Sequence, residues 1–283
     1  MNRWASRWHQ ALVVAAALAV LTLPAPGMAA PGDPLLDYGV DIVSDYVSRG
    51  ADQFVIKFAK EDKAHEAFNS APAVQPYATL HGAGGFWFGL WGSFAASNRQ
   101  EDEAHKADPT MGFPGLKVLD EIDYTLAWDW SNKLGGFSAG WVVYTYPSGS
   151  AGAEEVATNS ELYIKYAPAI LPALSPTLTH YVVPDGGTTA SGATYTTLGI
   201  GGGETLKWKL SVGAAVKLKD VTGGISYGFG PFSVALTAAY RPNPELLGPY
   251  DEDGKYTLAS GEVKDYPKTI AWVTFSYGGS VTE

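Results

Sequence analysis

Residues 121–130, EIDYTLAWDW, show most clearly the pattern from which the fold is predicted. Its alternate positions carry Glu121, Asp123, Thr125, Ala127 and Asp129, which are polar or small, whereas the positions between them are all large and apolar. Successive side chains of a β-strand point to opposite faces of the sheet, whereas helical side chains recur every 3.6 residues. The alternation therefore predicts a β-strand with one polar and one apolar face.

Similar alternating blocks fill the chain from residue 37 onwards, separated by Gly, Pro, Asn, Asp and Ser. Pro76 and Pro176 fall within two of them, although a proline removes a backbone donor and belongs at an edge, a bulge or a strand start. The predicted strands number about twelve, and bacterial single-chain β-barrels have an even number of strands. The pattern predicts about twelve strands, near 37–49, 72–81, 85–97, 117–130, 135–146, 159–168, 174–183, 193–204, 206–217, 220–229, 231–241 and 267–278.

The connections between these blocks alternate in length. Short ones lie at 81–85, 131–134, 169–173, 204–205 and 230, and long ones at 50–71, 98–116, 147–158, 184–192 and 241–266. One short connection, 217–219, falls on the long side. Short turns at one rim and long loops at the other are typical of outer-membrane barrels. The sequence thus predicts an all-β fold, an antiparallel up-and-down transmembrane β-barrel of about 12 strands with periplasmic N- and C-termini.

Aromatic residues gather at the ends of the predicted strands, as they do where hydrocarbon meets lipid headgroups. In FWFGLW, residues 86–91, both strand faces are apolar and the alternation does not assign them. One predicted girdle, at the periplasmic end, comprises Tyr38, Phe86, Trp128, Trp130, Phe137, Trp208, Phe229, Phe232, Phe275 and Tyr277. A second, at the opposite end, comprises Tyr46, Tyr144, Tyr146 and Tyr240.

The chain begins with features of a secretory signal peptide. Arg3 and Arg7 precede an apolar run at 11–23, and small residues at Gly27 and Ala29 fit cleavage after Ala29. The apolar run is shorter than the roughly 20 residues that a membrane-spanning helix needs. We therefore expect a signal peptide at 1–29, a barrel domain at 30–283 and export to the outer membrane of a Gram-negative bacterium.

Composition narrows the partners. The net charge of −10 argues against nucleic acid, which attracts clusters of Lys and Arg. The chain has no cysteine, so an exported domain must be held by backbone hydrogen bonds and apolar burial rather than disulfides.

The polar face of each strand would line the lumen of such a barrel. Acidic groups on one wall opposite basic groups on another would orient small polar solutes, or the charges could pair with one another and plug the lumen. On one predicted strand Asp45 and Arg49 would lie about 13 Å apart, so each needs a partner on another strand. The candidate pore-lining residues are Asp41, Asp45, Arg49, Glu121, Asp123, Asp129, Glu161, Lys165, Lys207, Lys209 and Lys217.

The sequence offers little for catalysis. Residues 224–228, GISYG, spell the nucleophile elbow of hydrolases, but the elbow needs a strand–turn–helix context and Ser226 lies inside an alternating strand. His180 lies inside a predicted strand, whereas His81 lies where a strand meets a short turn, and nothing in the sequence pairs His180 with a serine. We expect no enzyme activity, no catalytic residues, no cofactor and no metal.

Several short segments resemble the TorF family of porins in order along the chain. These are VSDYVSRGADQ at 43–53, AVQP at 73–76, GLWGS at 89–93, EID at 121–123, YTYP at 144–147 and GISY at 224–227. The resemblance implies a Gram-negative outer-membrane barrel assigned to passive uptake. Long connections at 50–71 and 241–266, and a last strand that runs past Tyr277 to Glu283, depart from the family pattern.

Two functions remain open from the sequence. The first is a channel for passive diffusion of small hydrophilic solutes or ions, with a weak cation preference from the acidic balance. The second is a closed barrel that acts as a surface binding or structural module through loops 50–71, 98–116 and 241–266. The expected partners are outer-membrane lipid, small solutes or ions and, during biogenesis, the barrel assembly machinery.

Overall fold

The computed structural model describes residues 34–49, 51–52, 56–60, 63–67, 72–95, 121–146, 157–184, 192–243, 255–257, 263–265 and 268–282. The predicted signal peptide at 1–29 and the predicted loop at 98–116 lie outside these residues. Within the described ranges, no helix is long and apolar enough to cross a bilayer.

Twelve antiparallel strands in the described part of the chain form a closed barrel. We number these barrel strands β1 to β12. They are β1 (Pro34–Val43), β2 (Ala73–His81), β3 (Phe86–Ala95), β4 (Glu121–Asn132), β5 (Gly135–Tyr146), β6 (Ala157–Pro168), β7 (Thr177–Val182), β8 (Thr194–Gly202), β9 (Leu206–Ala214), β10 (Leu218–Phe229), β11 (Phe232–Tyr240) and β12 (Thr269–Thr282).

Every barrel strand pairs with its neighbours in sequence, and β12 pairs with β1 to close the ring. This closing pair runs from Leu36 opposite Val281 to Val43 opposite Thr274. A closed ring leaves no strand edge unpaired. The predicted up-and-down topology is therefore confirmed. Three separate two-stranded hairpins pair 47–48 with 51–52, 56–60 with 63–67, and 255–257 with 263–265.

All twelve predicted strands are present, with two informative differences in their bounds. The first strand ends at Val43 instead of reaching residue 49, because the chain turns away from the wall there. The last strand extends to Thr282, and its extension pairs with the start of β1, as Tyr38 opposite Gly279 illustrates. The residues beyond Tyr277 thus complete the closing pair.

The two prolines differ in position. Pro176 precedes β7, whereas Pro76 lies within β2 opposite Val40 of β1. Between β2 and β3, direct pairing stops after Val74 and resumes at Tyr77, since proline has no backbone N–H to donate. Gln75 Nε2 donates a hydrogen bond to Ser93 Oγ (3.1 Å) across this gap. A buried side-chain bond thus joins the two strands where their backbone ladder is interrupted.

The alternation sorts side chains between the two faces of the wall. In β4, Glu121 and Ala127 are 5% and 3% exposed, whereas Tyr124 and Leu126 are 41% and 54% exposed on the outside. The apolar segment 86–91 is sorted in the same way. Its Phe86, Phe88 and Leu90 are exposed outside, and Trp87 and Trp91 line the lumen.

Seven of the ten residues of the girdle predicted at the short-turn rim lie in two runs of contacting rings, and the other three, Tyr38, Trp208 and Phe275, are exposed. One run, Phe86–Trp128–Trp130–Phe137–Tyr166, has ring centroids 4.7–5.7 Å apart. The other, Tyr227–Phe229–Phe232–Tyr277, has centroids 5.2–6.2 Å apart.

The second predicted girdle is wrong for two of its four members. Tyr46 and Tyr144 line the lumen because each donates its hydroxyl to a buried carboxylate there. Tyr240 is 47% exposed, and the side chain of Tyr146 lies outside the described residues.

The closing pair predicts a specific cross-link. Asp41 and Ser276 are direct partners between β1 and β12, and directly opposed Cα atoms lie within the roughly 4.4–6.8 Å that a disulfide spans. Because the chain has no native cysteine, we expect Asp41→Cys with Ser276→Cys to form this disulfide on mild oxidation, detected by mass spectrometry of the linked peptides.

The matched control is Asp41→Cys with Ser233→Cys. Ser233 pairs with Ser276 from β11, one strand further from β1, so it lies about 10 Å from position 41 and cannot be bridged. Equal cross-linking of both pairs would contradict the closed ring.

Candidate functional site in the barrel lumen

A cavity of about 1090 Å³ occupies the lumen. Its lining extends from Asp45 and Asp220, near the long-loop rim, to Ser131 and Ala167, near the short-turn rim. The cavity therefore runs along the barrel axis between the two rims.

A short segment at 44–49, which we call the crossing segment, enters this lumen from the end of β1. Ser44 holds its start to β12, where its backbone N donates to Val273 O (2.9 Å) and its Oγ accepts from Val273 N (3.0 Å). Asp45, next in the chain, is only 4% exposed. Because β1 ends at Val43, the prediction that Asp45 and Arg49 lie on one extended strand is wrong.

Arg49 attaches the crossing segment to the opposite wall. Its guanidinium donates two hydrogen bonds to the carboxylate of Glu161 in β6, one of them Nη1 to Oε1 at 2.6 Å. The same group lies over the rings of Tyr181 in β7 and Tyr195 in β8, with its carbon 4.4 and 4.7 Å from their centroids. Strand β7 is six strands from β1 in either direction around the ring. The segment thus spans the lumen.

The chemistry of Arg49 suits this position. A bidentate guanidinium–carboxylate pair combines charge with fixed geometry, and the flat guanidinium stacks on aromatic faces. Burial acts to lower the pKa of Arg49, but the hydrogen bonds and charge of Glu161 raise it above its ordinary value, so the group stays charged. Tyr144 completes the cluster by donating its hydroxyl to Glu161 Oε2 (2.8 Å).

Tyr46 attaches the crossing segment to a third part of the wall. Its hydroxyl donates to Glu121 Oε2 (2.9 Å) at the start of β4. Its ring packs against Trp91 of β3, with centroids 5.4 Å apart. The segment is therefore held at β12, at β3–β4 and at β6–β8.

A β-bulge brings two charges into the lumen that the sequence did not predict. The β9–β10 register shifts where Gly213 faces Asp220 and Ala214 faces Leu218, which leaves Lys219 as the extra residue. Asp220 is 2% exposed and accepts hydrogen bonds from Tyr195 Oη (2.7 Å) and Thr222 Oγ1 (3.2 Å). Lys219 Nζ lies 5.6 Å from the centroid of the Tyr195 ring. Strict alternation would place one of the two neighbours outside.

The one sequence signal of this bulge is Gly213. A Cβ atom at that position would collide with the Tyr195 hydroxyl and the Asp220 carboxylate. A glycine in the interior of a strand is a recognised sign of a bulge or a close approach.

The eleven candidate lumen residues fall into four groups. Asp45, Arg49, Asp123, Asp129, Lys165 and Lys209 line the cavity. Asp41, Glu121 and Glu161 stand opposite the inward-facing Gln75, Ser93 and Val142, and Lys207 lines a second hollow near the short-turn rim. Lys217 was predicted at the end of a strand, but β9 ends at Ala214 and Lys217 lies in the exposed turn at 215–217.

Charge is distributed unevenly around the lumen. Asp41 on β1 and Asp123 and Asp129 on β4 lie on one arc of the ring, whereas Lys165 on β6 and Lys209 on β9 lie on the other. Glu161 and Asp220 belong to the second arc, but each is hydrogen-bonded there, to Arg49 and Tyr144 or to Tyr195 and Thr222. Acidic residues and lysines therefore predominate on different arcs of the ring.

Two histidine clusters among the described residues, at His81 and His180, do not have the geometry of a nucleophilic triad. Asp37 accepts a hydrogen bond from Ser280 and lies 2.8 Å from His81 Nε2, so the carboxylate stands between the other two groups, whereas a triad places histidine in the middle. His180 contacts Thr196 Oγ1 (2.8 Å). Among the described residues, no group of three or more His, Cys, Asp or Glu side chains is arranged to hold a metal ion.

Comparison with known proteins adds little to this geometry. No protein-family model matches the chain, and no curated protein matches it significantly, so the resemblance to the TorF family is not confirmed. Among solved structures, the chain is similar to a Salmonella typhi OmpF in complex with daunomycin, at 9% identity and a TM-score of 0.37, over 86% of this chain and 97% of that one. So low a TM-score carries no argument about fold or function.

The contact between Arg49 and Glu161 predicts a measurable coupling. We expect Arg49→Ala to lower the free energy of unfolding by about 2 kcal/mol, because it leaves the mostly buried Glu161 carboxylate without its guanidinium. Adding Glu161→Gln should recover part of this loss, since a neutral amide is easier to bury. Urea unfolding in lipid vesicles, followed by tryptophan fluorescence, measures the free energy of unfolding of the wild type, the two single variants and the double variant. Additive effects of the two substitutions would show that the contact does not form.

Proposed function

We propose that this protein is a porin-like outer-membrane channel for passive diffusion of small hydrophilic solutes or ions. The observation that carries the proposal is the cavity of about 1090 Å³, whose lining combines charged and hydroxyl groups with aromatic rings, inside a closed barrel whose outer face is apolar. A soluble barrel would have the opposite sorting, with apolar side chains inside.

The membrane is the environment that suits the outer face. Lipid offers no hydrogen bonds, so a β-structure within it must pair every backbone group, as a closed barrel does. Exposed Leu126, Trp141, Leu162 and Leu198 would meet hydrocarbon, and the contacting aromatic rings at the short-turn rim would lie at the interface.

The remaining features of the proposal rest on the sequence and on barrel biology. Cleavage after Ala29 would release the mature chain to the periplasm of a Gram-negative bacterium. The barrel assembly machinery would insert it with both termini and the short turns on the periplasmic side. Membership of the TorF family, which the short ordered motifs suggest, would agree with this arrangement.

The lumen charges define which solutes would pass. Within the described lining of the cavity, Asp45, Asp123, Asp129 and Asp220 slightly outnumber Arg49, Lys165 and Lys209, which favours a weak cation preference. The crossing segment narrows the path near the long-loop rim and would admit only small solutes. Acidic residues and lysines on different arcs would orient polar molecules at this narrow point.

Planar-bilayer recordings test the channel directly. We expect conductance steps from the folded protein, and we expect Arg49→Ala to raise the step by about twofold, because the crossing segment loses its attachment to β6–β8 and the path widens. Lys133→Ala is the matched control, since Lys133 lies in the exposed turn between β4 and β5 and its loss removes the same charge outside the lumen. Its step should equal that of the wild type.

The same recordings address the alternative of a closed barrel that serves as a binding or structural module. The crossing segment favours this alternative, because its contacts span the lumen. If neither the folded wild type nor Arg49→Ala conducts, the channel proposal is wrong. A surface interaction lost on deletion of residues 98–116 would then support the module.

A further inference from the structure

A second hollow, of about 370 Å³, lies near the short-turn rim between strands β8, β9, β10 and β11. Its lining includes Gly201 and Gly224, which leave space because they have no side chains. A Cβ atom on Gly224 would lie 3.0 Å from Thr237 Oγ1 and 3.3 Å from Lys209 Cε. Any larger residue at this position would crowd the polar groups around the hollow.

Lys207 and Lys209 supply the charge of this hollow. They stand two residues apart on β9, so they share a face and their Cα atoms are about 7 Å apart. Ser226, the partner of Lys207 on β10, and Thr237 on β11 add hydroxyl groups to the same lining. The side chains of two lysines and two hydroxyl residues therefore line one small space, and Lys209 also lines the main cavity.

Acidic groups are sparse around these lysines. In strands β8 to β11, as the structure describes them, Asp220 is the one acidic residue. It lies at the far end of β10, where its carboxylate binds Tyr195 and Thr222. Glu204 lies in the exposed turn between β8 and β9. The hollow therefore carries more positive charge than neighbouring groups neutralise.

The opposite wall strengthens this asymmetry. Strand β4, with Asp123 and Asp129, is six strands from β10 in either direction around the ring. An anion in the lumen would therefore be favoured near the lysines of β9 over the acidic residues of β4.

We propose that this hollow binds the oxyanion group, phosphate or carboxylate, of a small solute. Lysine ammonium groups and hydroxyls are the donors that suit such a group, since charge-assisted hydrogen bonds to an oxyanion are the strong ones. The inference rests on the proposed function, because a channel lumen gives the solute access to the hollow. Binding in a channel must also be weak enough for release, so we expect a Kd in the millimolar range.

Calorimetric titration of the full folded chain with inorganic phosphate, at constant ionic strength, tests the site. We expect saturable binding that the double variant Lys207→Gln with Lys209→Gln weakens about tenfold or more. The matched control, Lys133→Gln with Lys165→Gln, loses the same charge from an exposed turn and from the lumen face of β6, and should bind as the wild type does. No binding by the wild type, or equal loss in both double variants, would overturn the proposal.

Acetate and glycerol complete the experiment. Binding of acetate as well as phosphate identifies a general oxyanion site, and binding of phosphate alone identifies a phosphate site; both support the proposal. Glycerol that binds as well as phosphate would overturn it, because the charge would then contribute nothing. Conductance of the same wild-type preparation separates the two proposals: conduction without oxyanion binding refutes the site, and binding without conduction refutes the channel.

Discussion

The structure depends on the hydrogen-bonded ring that β1 and β12 close. An isolated strand edge in lipid would leave its N–H and C=O groups without partners, each at a cost of several kcal/mol. The closing pair removes both edges at once, from Leu36 opposite Val281 to Val43 opposite Thr274. Once the ring is closed, each side chain must point either inward or outward. The polar lumen and the apolar exterior follow from the order of residues along each strand.

The crossing segment uses the interior that this ring creates. A chain that leaves the wall loses its ladder hydrogen bonds and must find other partners. Ser44 bonds the neighbouring strand, Tyr46 binds Glu121, and Arg49 binds Glu161 between two tyrosine rings. These contacts connect strands that are not neighbours in the ring. The charged residues of the lumen thus have different positions. Glu161 holds the crossing segment, whereas Asp123, Asp129 and Lys165 line the cavity.

Much of the fold could be predicted because strand alternation is local. The stretch 121–130 alone separates the two faces of β4, and strand bounds elsewhere agree to within a few residues. The path of the crossing segment could not be predicted, since residues 44–49 contain no glycine or proline to end the first strand and only contacts across the lumen turn the chain inward. The inward turn of Lys219 was missed because a bulge breaks the period by one residue, whereas Asp220 keeps the phase of the inward-facing Thr222. Where both faces are apolar, as at Trp87 and Phe88, pairing with β2 and β4 decides which ring faces the lumen.

The most direct test of this account is the accessibility of single cysteines along β4 in lipid vesicles, measured with a charged, water-soluble maleimide. The native chain has no cysteine, so each label reports one position. The account predicts labelling of Asp123→Cys, Thr125→Cys and Asp129→Cys, whose side chains meet the lumen, and protection of Tyr124→Cys and Leu126→Cys, whose side chains meet lipid. Labelling without this alternation, or with the two sets exchanged, would contradict a wet interior enclosed by an apolar wall.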